Sequence, residues 1–250
     1  MARPLTRKIV NALALVVGGV CACAMALATI FTAFPALAFA HQAGDHRIMF
    51  HATDPLPQDA AIRAAATAWA DMQDTPFGQP DHQIHVFLAE GGWRNWLFFR
   101  GAPGAGGLTY PAFWQDRMFL SGADLEAGLL LNDGAPVPPP RDLTYYLVHE
   151  MTHLRHAEVL GGFAMFRAAF WVREGVADIA ALGPAHGEMI ARAMAGEGLP
   201  RAAYGSYPLE RVCATMVLAQ PGMTMDRFLT IRADMHLPTT CATLPRPDSD

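Results

Sequence analysis

The chain is predicted to adopt an α+β fold, in which a small antiparallel sheet precedes a set of helices. Short segments rich in β-branched and aromatic residues lie in the first half of the sequence, and segments with helical periodicity fill the second half. Strands grouped ahead of helices are typical of this fold class. The chain has 250 residues, 52% of them hydrophobic, so it is long enough to bury a core of its own.

Four short segments predict strands. Residues 48–51 are mainly apolar, and residues 83–88 alternate between apolar and polar side chains with β-branched members. Residues 108–114 and 117–120 predict two further strands that pair with one another. These segments supply the strands of the predicted sheet.

The predicted helices begin and end at recognisable signals. An alanine-rich run that ends near Met72 favours helix, and residues 91–100 predict a short one. A proline-rich spacer, residues 136–140, is followed by Asp142, a suitable N-cap for a helix that ends near Leu160. Further helices are predicted around Glu174 and over residues 187–195, 208–219 and 224–231.

The charge pattern gives no reason to propose a nucleic-acid partner. The formal net charge is −5, and no run of five basic residues occurs. The glycine-rich loop at residues 101–107 is not followed by Gly-Lys-Ser/Thr, so a phosphate-binding loop is rejected.

The N-terminus has the features of a targeting segment. Basic residues within the first eight positions precede an apolar run at residues 9–34, and Ala38-Phe39-Ala40 fits a cleavage site before His41. This site favours cleavage, but the run is also long enough for an uncleaved membrane anchor. Both alternatives predict export: a periplasmic or secreted protein, or one anchored with its catalytic part outside the cytoplasm.

The chain is therefore divided into a signal peptide or anchor at residues 1–40 and one domain at residues 41–250. A strand-containing part, residues 41–140, precedes a helical part, residues 141–250.

Two cysteines remain in this domain, Cys213 and Cys241. In an oxidising compartment they allow one disulfide, and the alternative is two unpaired buried thiols. The other two, Cys21 and Cys23, lie inside the apolar N-terminal run.

The segment His149-Glu150-Met151-Thr152-His153 carries the strongest chemical signal in the sequence. On a helix, residues four apart lie about 40° apart in azimuth and roughly 6 Å along the axis. His149 and His153 therefore project side by side and can reach one zinc ion. Glu150 follows the first histidine, where its carboxylate can accept a proton from the zinc-activated water.

A second pair of carboxylates follows on the next predicted helix. Glu174 can supply the third protein ligand that a catalytic zinc site requires. Asp178 lies one helical turn later on the same face, where it can accept the second ring N–H of a zinc-bound histidine.

This combination of His-Glu-x-x-His, a spacer and Glu-x-x-x-Asp resembles the gluzincin group of zinc metallopeptidases. The resemblance covers about residues 145–182 closely and the rest of the chain only in the order of its elements. It implies a zincin-like fold, in which an edge strand of the sheet aligns an extended peptide substrate.

The resemblance also implies residue roles. Zinc would be held by His149, His153 and Glu174, with Glu150 as the general base and Asp178 orienting His149. A Tyr or His that stabilises the oxyanion is expected, and the candidates are Tyr204, Tyr207 and His236.

The sequence thus predicts an exported zinc-dependent metallopeptidase that acts on a peptide or protein substrate. The alternatives are a non-catalytic, zinc-containing binding or scaffold protein of the envelope, and a peptidase attached to the membrane through residues 9–34. His156 is expected either to lie beside the metal ligands or to be solvated, and the second alternative is favoured. The upstream histidines are expected at the surface: His41, His46, His51, His82 and His85.

Overall fold

A five-stranded sheet forms one layer of the protein in a computed structural model that describes residues 4–232, and side chains from residue 13 onward. The strand order is β1-β2-β3-β5-β4. A second, three-stranded sheet contains β6, β7 and β8 in that order. The strands are β1 (His41–Gly44), β2 (Ile48–Ala52), β3 (Ile84–Leu88), β4 (Gly107–Thr109), β5 (Arg117–Leu120), β6 (Ala123–Asp124), β7 (Leu129–Asn132) and β8 (Ala135–Pro136).

The described helices mostly follow the strands along the chain. They are α1 (Pro4–Ala33), α2 (Gln58–Gln73), α3 (Gly92–Phe99), α4 (Leu143–Leu160), α5 (Gly162–Met165), α6 (Phe170–Leu182), α7 (Gly187–Met194), α8 (Arg201–Tyr204), α9 (Pro208–Leu218) and α10 (Met225–Leu229). The mixture of a small sheet and many helices confirms the α+β class.

The prediction of an antiparallel sheet was wrong for its centre. β3 pairs in parallel with both β2 and β5, and only the outer strands β1 and β4 are antiparallel to their neighbours. Parallel neighbours need a long crossover connection. The connection from β2 to β3 contains α2, and the one from β3 to β5 contains α3 and β4.

Both faces of the sheet are buried, as expected for central parallel strands. One face presents residues such as Phe50, Val86 and Leu120 to α2 and α4. The other face presents Phe87 and Phe119 to an aromatic cluster that includes α3. Because side chains alternate between faces along a strand, one short segment such as β3 contributes to both cores.

Helix α4 lies in the middle of the molecule, between α2 and the sheet on one side and α6 on the other. Asp142 begins it as predicted, since its carboxylate accepts a hydrogen bond from the Tyr145 backbone N–H at 2.9 Å. Most of its side chains are buried. Burial on nearly all sides explains why α4 has no clear amphipathic stripe.

Several elements differ from the prediction. β1, α8 and the sheet of β6–β8 were not anticipated, and the predicted strand at residues 108–114 is shorter and lies at 107–109. Cys213 is buried in α9, while its predicted partner Cys241 and the candidate His236 lie outside the described residues. The disulfide therefore stays a prediction.

The apolar N-terminal run forms α1, whose segment Leu13–Ala33 is long and apolar enough to cross a bilayer. This segment is largely exposed along its length. The helix is compatible with either a signal peptide or a membrane anchor.

Helices α6 and α9 cross closely at Gly175. A Cβ atom there would lie 2.4 Å from the Glu210 carbonyl oxygen and 2.8 Å from the Ala214 Cβ. The missing side chain thus allows α9 to lie directly on α6, which carries two of the predicted site residues.

We expect Gly175→Ala to lower the free energy of unfolding by about 1–3 kcal/mol, the usual cost of forcing extra volume into a packed core. The matched control is Gly187→Ala in α7, where a Cβ would meet no atom within 4 Å. That control should change stability by less than about 1 kcal/mol. Urea unfolding followed by circular dichroism measures both, and equal midpoints for the two variants would contradict the close crossing.

Candidate metal centre

Three predicted ligands, His149 and His153 from α4 and Glu174 from α6, come together in the structure. Their ligand atoms all lie within 4.8 Å of one another, and all three side chains are buried. Glu174 Oε2 lies 3.3 Å from His149 Nε2 and 3.4 Å from His153 Nε2. The two imidazoles and the carboxylate therefore point at one small volume that a metal ion can occupy.

The local fold accounts for this convergence. Residues four apart on α4 place the two imidazoles on the same face, with ring centroids 4.9 Å apart and planes at 85°. α6 packs against α4, so Glu174 approaches the histidines from the facing helix. Two neutral imidazoles and one carboxylate fit a divalent cation that accepts nitrogen and oxygen ligands, which is consistent with zinc among others.

Asp178 lies one turn after Glu174 and is fully buried. Its Oδ1 lies 3.1 Å from His149 Nδ1 and accepts a hydrogen bond from the Tyr145 hydroxyl, and its Oδ2 accepts one from the Tyr207 backbone N–H at 2.9 Å. A carboxylate beside Nδ1 favours a proton on that nitrogen and leaves Nε2 available to a metal.

The pKa values at the centre show a concentration of negative charge around His149. Burial lowers the pKa of His149, but Asp178 and Glu174 outweigh burial and raise this pKa to about 10. Burial raises the pKa of Glu174, but His153 and His149 outweigh it and hold this pKa far below the usual range. The field that favours a proton on His149 also favours a divalent cation in its place.

Glu150 is buried beside these ligands. Burial raises the pKa of its carboxyl, an effect that the neighbouring His153 and His149 partly offset. The backbone of β4 runs directly over this side chain, because a Cβ at Gly107 would lie 2.7 Å from Glu150 Oε1. Glu150 therefore lies between the ligands and the edge of the sheet.

The centre opens into a cleft of about 280 Å³. The main-chain segment 104–109, which includes β4, lines the cleft together with Tyr146, Ser206 and Tyr207. Arg141, Arg173 and Arg201 also line it. Within residues 13–232, none of these three guanidinium groups lies within 4 Å of a carboxylate oxygen. The lining of the cleft therefore carries three arginines without an ion-pair partner among the described residues, alongside the carboxyl groups of Glu150 and Glu174.

The three residues predicted as oxyanion stabilisers differ in their position relative to the cleft. Tyr207 lines the cleft, and its ring stacks on His149 with centroids 5.6 Å apart. Burial, Glu174 and Glu150 raise the pKa of its phenol, which therefore remains a hydrogen-bond donor. Tyr204 does not line the cleft and contacts the His186 ring instead. His236 lies outside the described residues.

Sequence reasoning missed Tyr145 as a partner of the centre. Its hydroxyl donates to Asp178 and accepts a hydrogen bond from the Ser206 backbone N–H at 3.0 Å. It thereby connects the Asp178 carboxylate to the segment that carries Tyr207. Tyr145 lies four residues before His149, so helical spacing alone could have placed it on the same face.

The expectation that the remaining histidines are solvated was wrong for His156 and for His51. His156 is fully buried and lies against the Phe77 ring, with centroids 5.9 Å apart. His51 is buried on the sheet and lies at hydrogen-bond distance, 2.9 Å, from His85. Both pairs join residues distant in sequence, so spacing along the chain gave no sign of them.

His82 also has carboxylate neighbours, Asp81 at 3.0 Å and Glu158 at 3.6 Å. Asp81 is exposed, His82 and Glu158 are only partly buried, and Glu158 is already paired with Arg155. It is a weaker metal candidate than the buried centre, because the arginine offsets the negative charge that a cation needs.

We expect Glu174→Ala to lower metal affinity by more than about 100-fold. Removing a group that only orients a ligand typically lowers affinity by about 10–100-fold, and removing the ligand itself should lower it further. The matched control is Glu188→Ala on the exposed face of α7. Metal content per chain, measured by mass spectrometry after dialysis against zinc, tests this. Equal metal in both variants would show that Glu174 is not a ligand.

We expect His156 to make the fold sensitive to acid. Burial, with help from His153 and Arg173, lowers the pKa of His156 from 6.5 to about 4. Between pH 6.5 and pH 4 the imidazole of His156 therefore binds a proton in the unfolded chain but not in the folded one. The free energy of unfolding consequently falls as the pH decreases from 6.5 toward 4. From pH 7.5 to 5 the loss from this residue is about 2 kcal/mol.

Urea unfolding at the two pH values should therefore show a smaller loss for His156→Leu than for the wild type. The exposed His46 provides the control variant, His46→Leu, which should keep the wild-type pH dependence. An unchanged pH dependence in His156→Leu would contradict the shifted pKa.

Comparisons of the whole chain with protein-family models, with characterised proteins and with solved structures found no match.

Proposed function

We propose that this protein is an exported, zinc-dependent metallopeptidase of the zincin-like, gluzincin type. The observation that carries the proposal is the convergence of His149, His153 and Glu174 at one side of an open cleft, with Glu150 next to them. Three protein ligands with an open side are typical of catalytic zinc sites, whereas structural sites are closed by a fourth ligand. The apolar helix α1 supports export.

In the proposed reaction, His149, His153 and Glu174 would hold zinc, which would supply Lewis acidity toward the scissile carbonyl and the attacking water. Glu150 accepts the proton of that water and delivers it to the leaving amine. Asp178 keeps His149 in the orientation that presents Nε2 to the metal. The Tyr207 hydroxyl is the best-placed donor for the oxyanion, since Tyr207 is the described oxyanion candidate that lines the cleft.

The substrate is proposed to bind along β4. This strand is the last in the order of the sheet, and its residues line the cleft beside Glu150. An extended peptide can add to such an edge through main-chain hydrogen bonds. Gly106 and Gly107 let this strand lie close to the centre, because a Cβ on Gly106 would lie 2.7 Å from the Tyr146 ring and one on Gly107 would lie 2.7 Å from Glu150 Oε1.

The charge of the cleft favours substrates with an acidic group. Arg141, Arg173 and Arg201 line it, and a bound divalent cation would add to the positive charge. Charge complementarity of this kind favours a carboxylate in the partner. A substrate assay should therefore compare peptides that carry acidic, neutral and basic residues near the scissile bond.

We expect Glu150→Gln to lower peptide hydrolysis by roughly 10²–10⁴-fold, the usual contribution of a general base, and to leave the metal content unchanged. Glu188→Gln is the control, because Glu188 lies on the exposed face of α7 and does not line the cleft. Peptide cleavage followed by mass spectrometry, together with metal analysis, measures both effects.

Wild-type turnover in Glu150→Gln would contradict the assignment of the base. A wild-type protein that binds one metal per chain but cleaves none of the peptides would favour the alternative, a non-catalytic zinc-containing protein of the envelope.

A further inference from the structure

The residues just before the predicted cleavage site pack into the folded domain, while Ala40 and His41, which flank the bond to be cut, are exposed. A 3₁₀ turn at Pro35–Ala38 follows α1, and the next residue, Phe39, is only 7% exposed. Its ring lies 5.4 Å from that of Phe87 and 6.0 Å from that of Phe98. Arg94 Nε donates a hydrogen bond of 2.7 Å to the Ala38 carbonyl oxygen.

Cleavage before His41 would thus remove part of the core. Ala38 and Phe39 belong to the aromatic cluster that covers the second face of the sheet. Without them, Phe87 and Phe98 would lose apolar neighbours and become more exposed to water. The domain therefore packs best with the residues before His41 still attached.

The end of α1 also contacts the domain directly. The Phe31 ring lies 5.2 Å from the Trp93 ring of α3, and Ala28 and Phe31 pack against the aromatic cluster. Arg117 Nη1 donates a hydrogen bond of 3.3 Å to the Ala33 carbonyl oxygen. The apolar helix therefore leads into the domain without a flexible linker.

Large apolar side chains are exposed around this junction. Trp93 and Trp96 on α3 are 46% and 68% exposed, and Phe34 and Leu37 at the end of α1 are exposed as well. The apolar segment Leu13–Ala33 ends directly before Phe34. Tryptophan is enriched where a membrane-spanning helix meets the headgroup layer of the bilayer.

We propose that α1 is retained as a membrane anchor and that Phe34, Leu37, Trp93 and Trp96 form a lipid-docking surface at the outer face of the bilayer. The occupant of this surface is the bilayer itself, because the attached apolar helix ends at these residues. The aromatic rings then lie in the headgroup layer and hold the domain against the membrane. This inference does not depend on the proposed peptidase activity.

The first test follows the fate of the N-terminus. The full chain is expressed in a Gram-negative host, fractionated, extracted with alkaline carbonate and analysed by intact mass. We expect a chain that keeps residues 1–40 and stays in the membrane pellet. A soluble chain that begins at His41 would overturn the proposal.

The second test measures the depth of the tryptophans in the full chain reconstituted into phosphatidylcholine vesicles, with and without brominated acyl chains. Bromine quenches tryptophan fluorescence only in or near the membrane. Trp96→Ser should reduce the quenched share. Because the Trp96 side chain is exposed, the variant should keep the wild-type fold, which circular dichroism checks. The control, Trp69→Phe, lies on α2 against the opposite face of the sheet and should not reduce the quenched share. If the quenched share of Trp96→Ser equals that of the wild type, α3 does not contact the bilayer, and the proposed docking surface is wrong.

Discussion

The arrangement of the centre depends on one helix contact, the packing of α6 against α4. This contact brings two carboxylates of α6, Glu174 and Asp178, against the histidines of α4. The charged groups therefore pair with one another in a buried environment. Buried charges are costly unless they are paired or bound to a metal. The close crossing of α9 at Gly175 supports α6 on the side away from α4, so a glycine next to Glu174 that faces α9 helps to set the spacing of the predicted ligands.

Much of this centre was predictable because its spacing is local. His149 and His153 are one helical turn apart, as are Glu174 and Asp178, and a turn of helix converts such spacing directly into a shared face. The meeting of the two pairs is a tertiary event, which the order of residues does not determine. The resemblance to gluzincins anticipated that Glu174 would join the histidines, and the structure brings these ligands together.

The sequence was less informative about the sheet and the other histidines. Strand positions follow from local composition, but strand direction depends on where a crossover helix packs, so the parallel pairing of β3 was missed. The burial of His51 and His156 likewise depends on neighbours far away in the chain, such as His85 and Phe77. A polar side chain in a mainly apolar segment is predicted to be exposed unless its tertiary partner is known.

The short junction between α1 and β1 has a mechanical consequence. A single 3₁₀ turn and three further residues connect them, and the turn is itself fixed by packing. A domain on a glycine- and serine-rich tether samples a hemisphere whose radius grows with linker length. Here the helix and the domain would move as one lever, so that any tilt of the helix in a bilayer would swing the cleft through the same angle. Membrane thickness, which sets helix tilt, would then determine which height above the surface the cleft can reach.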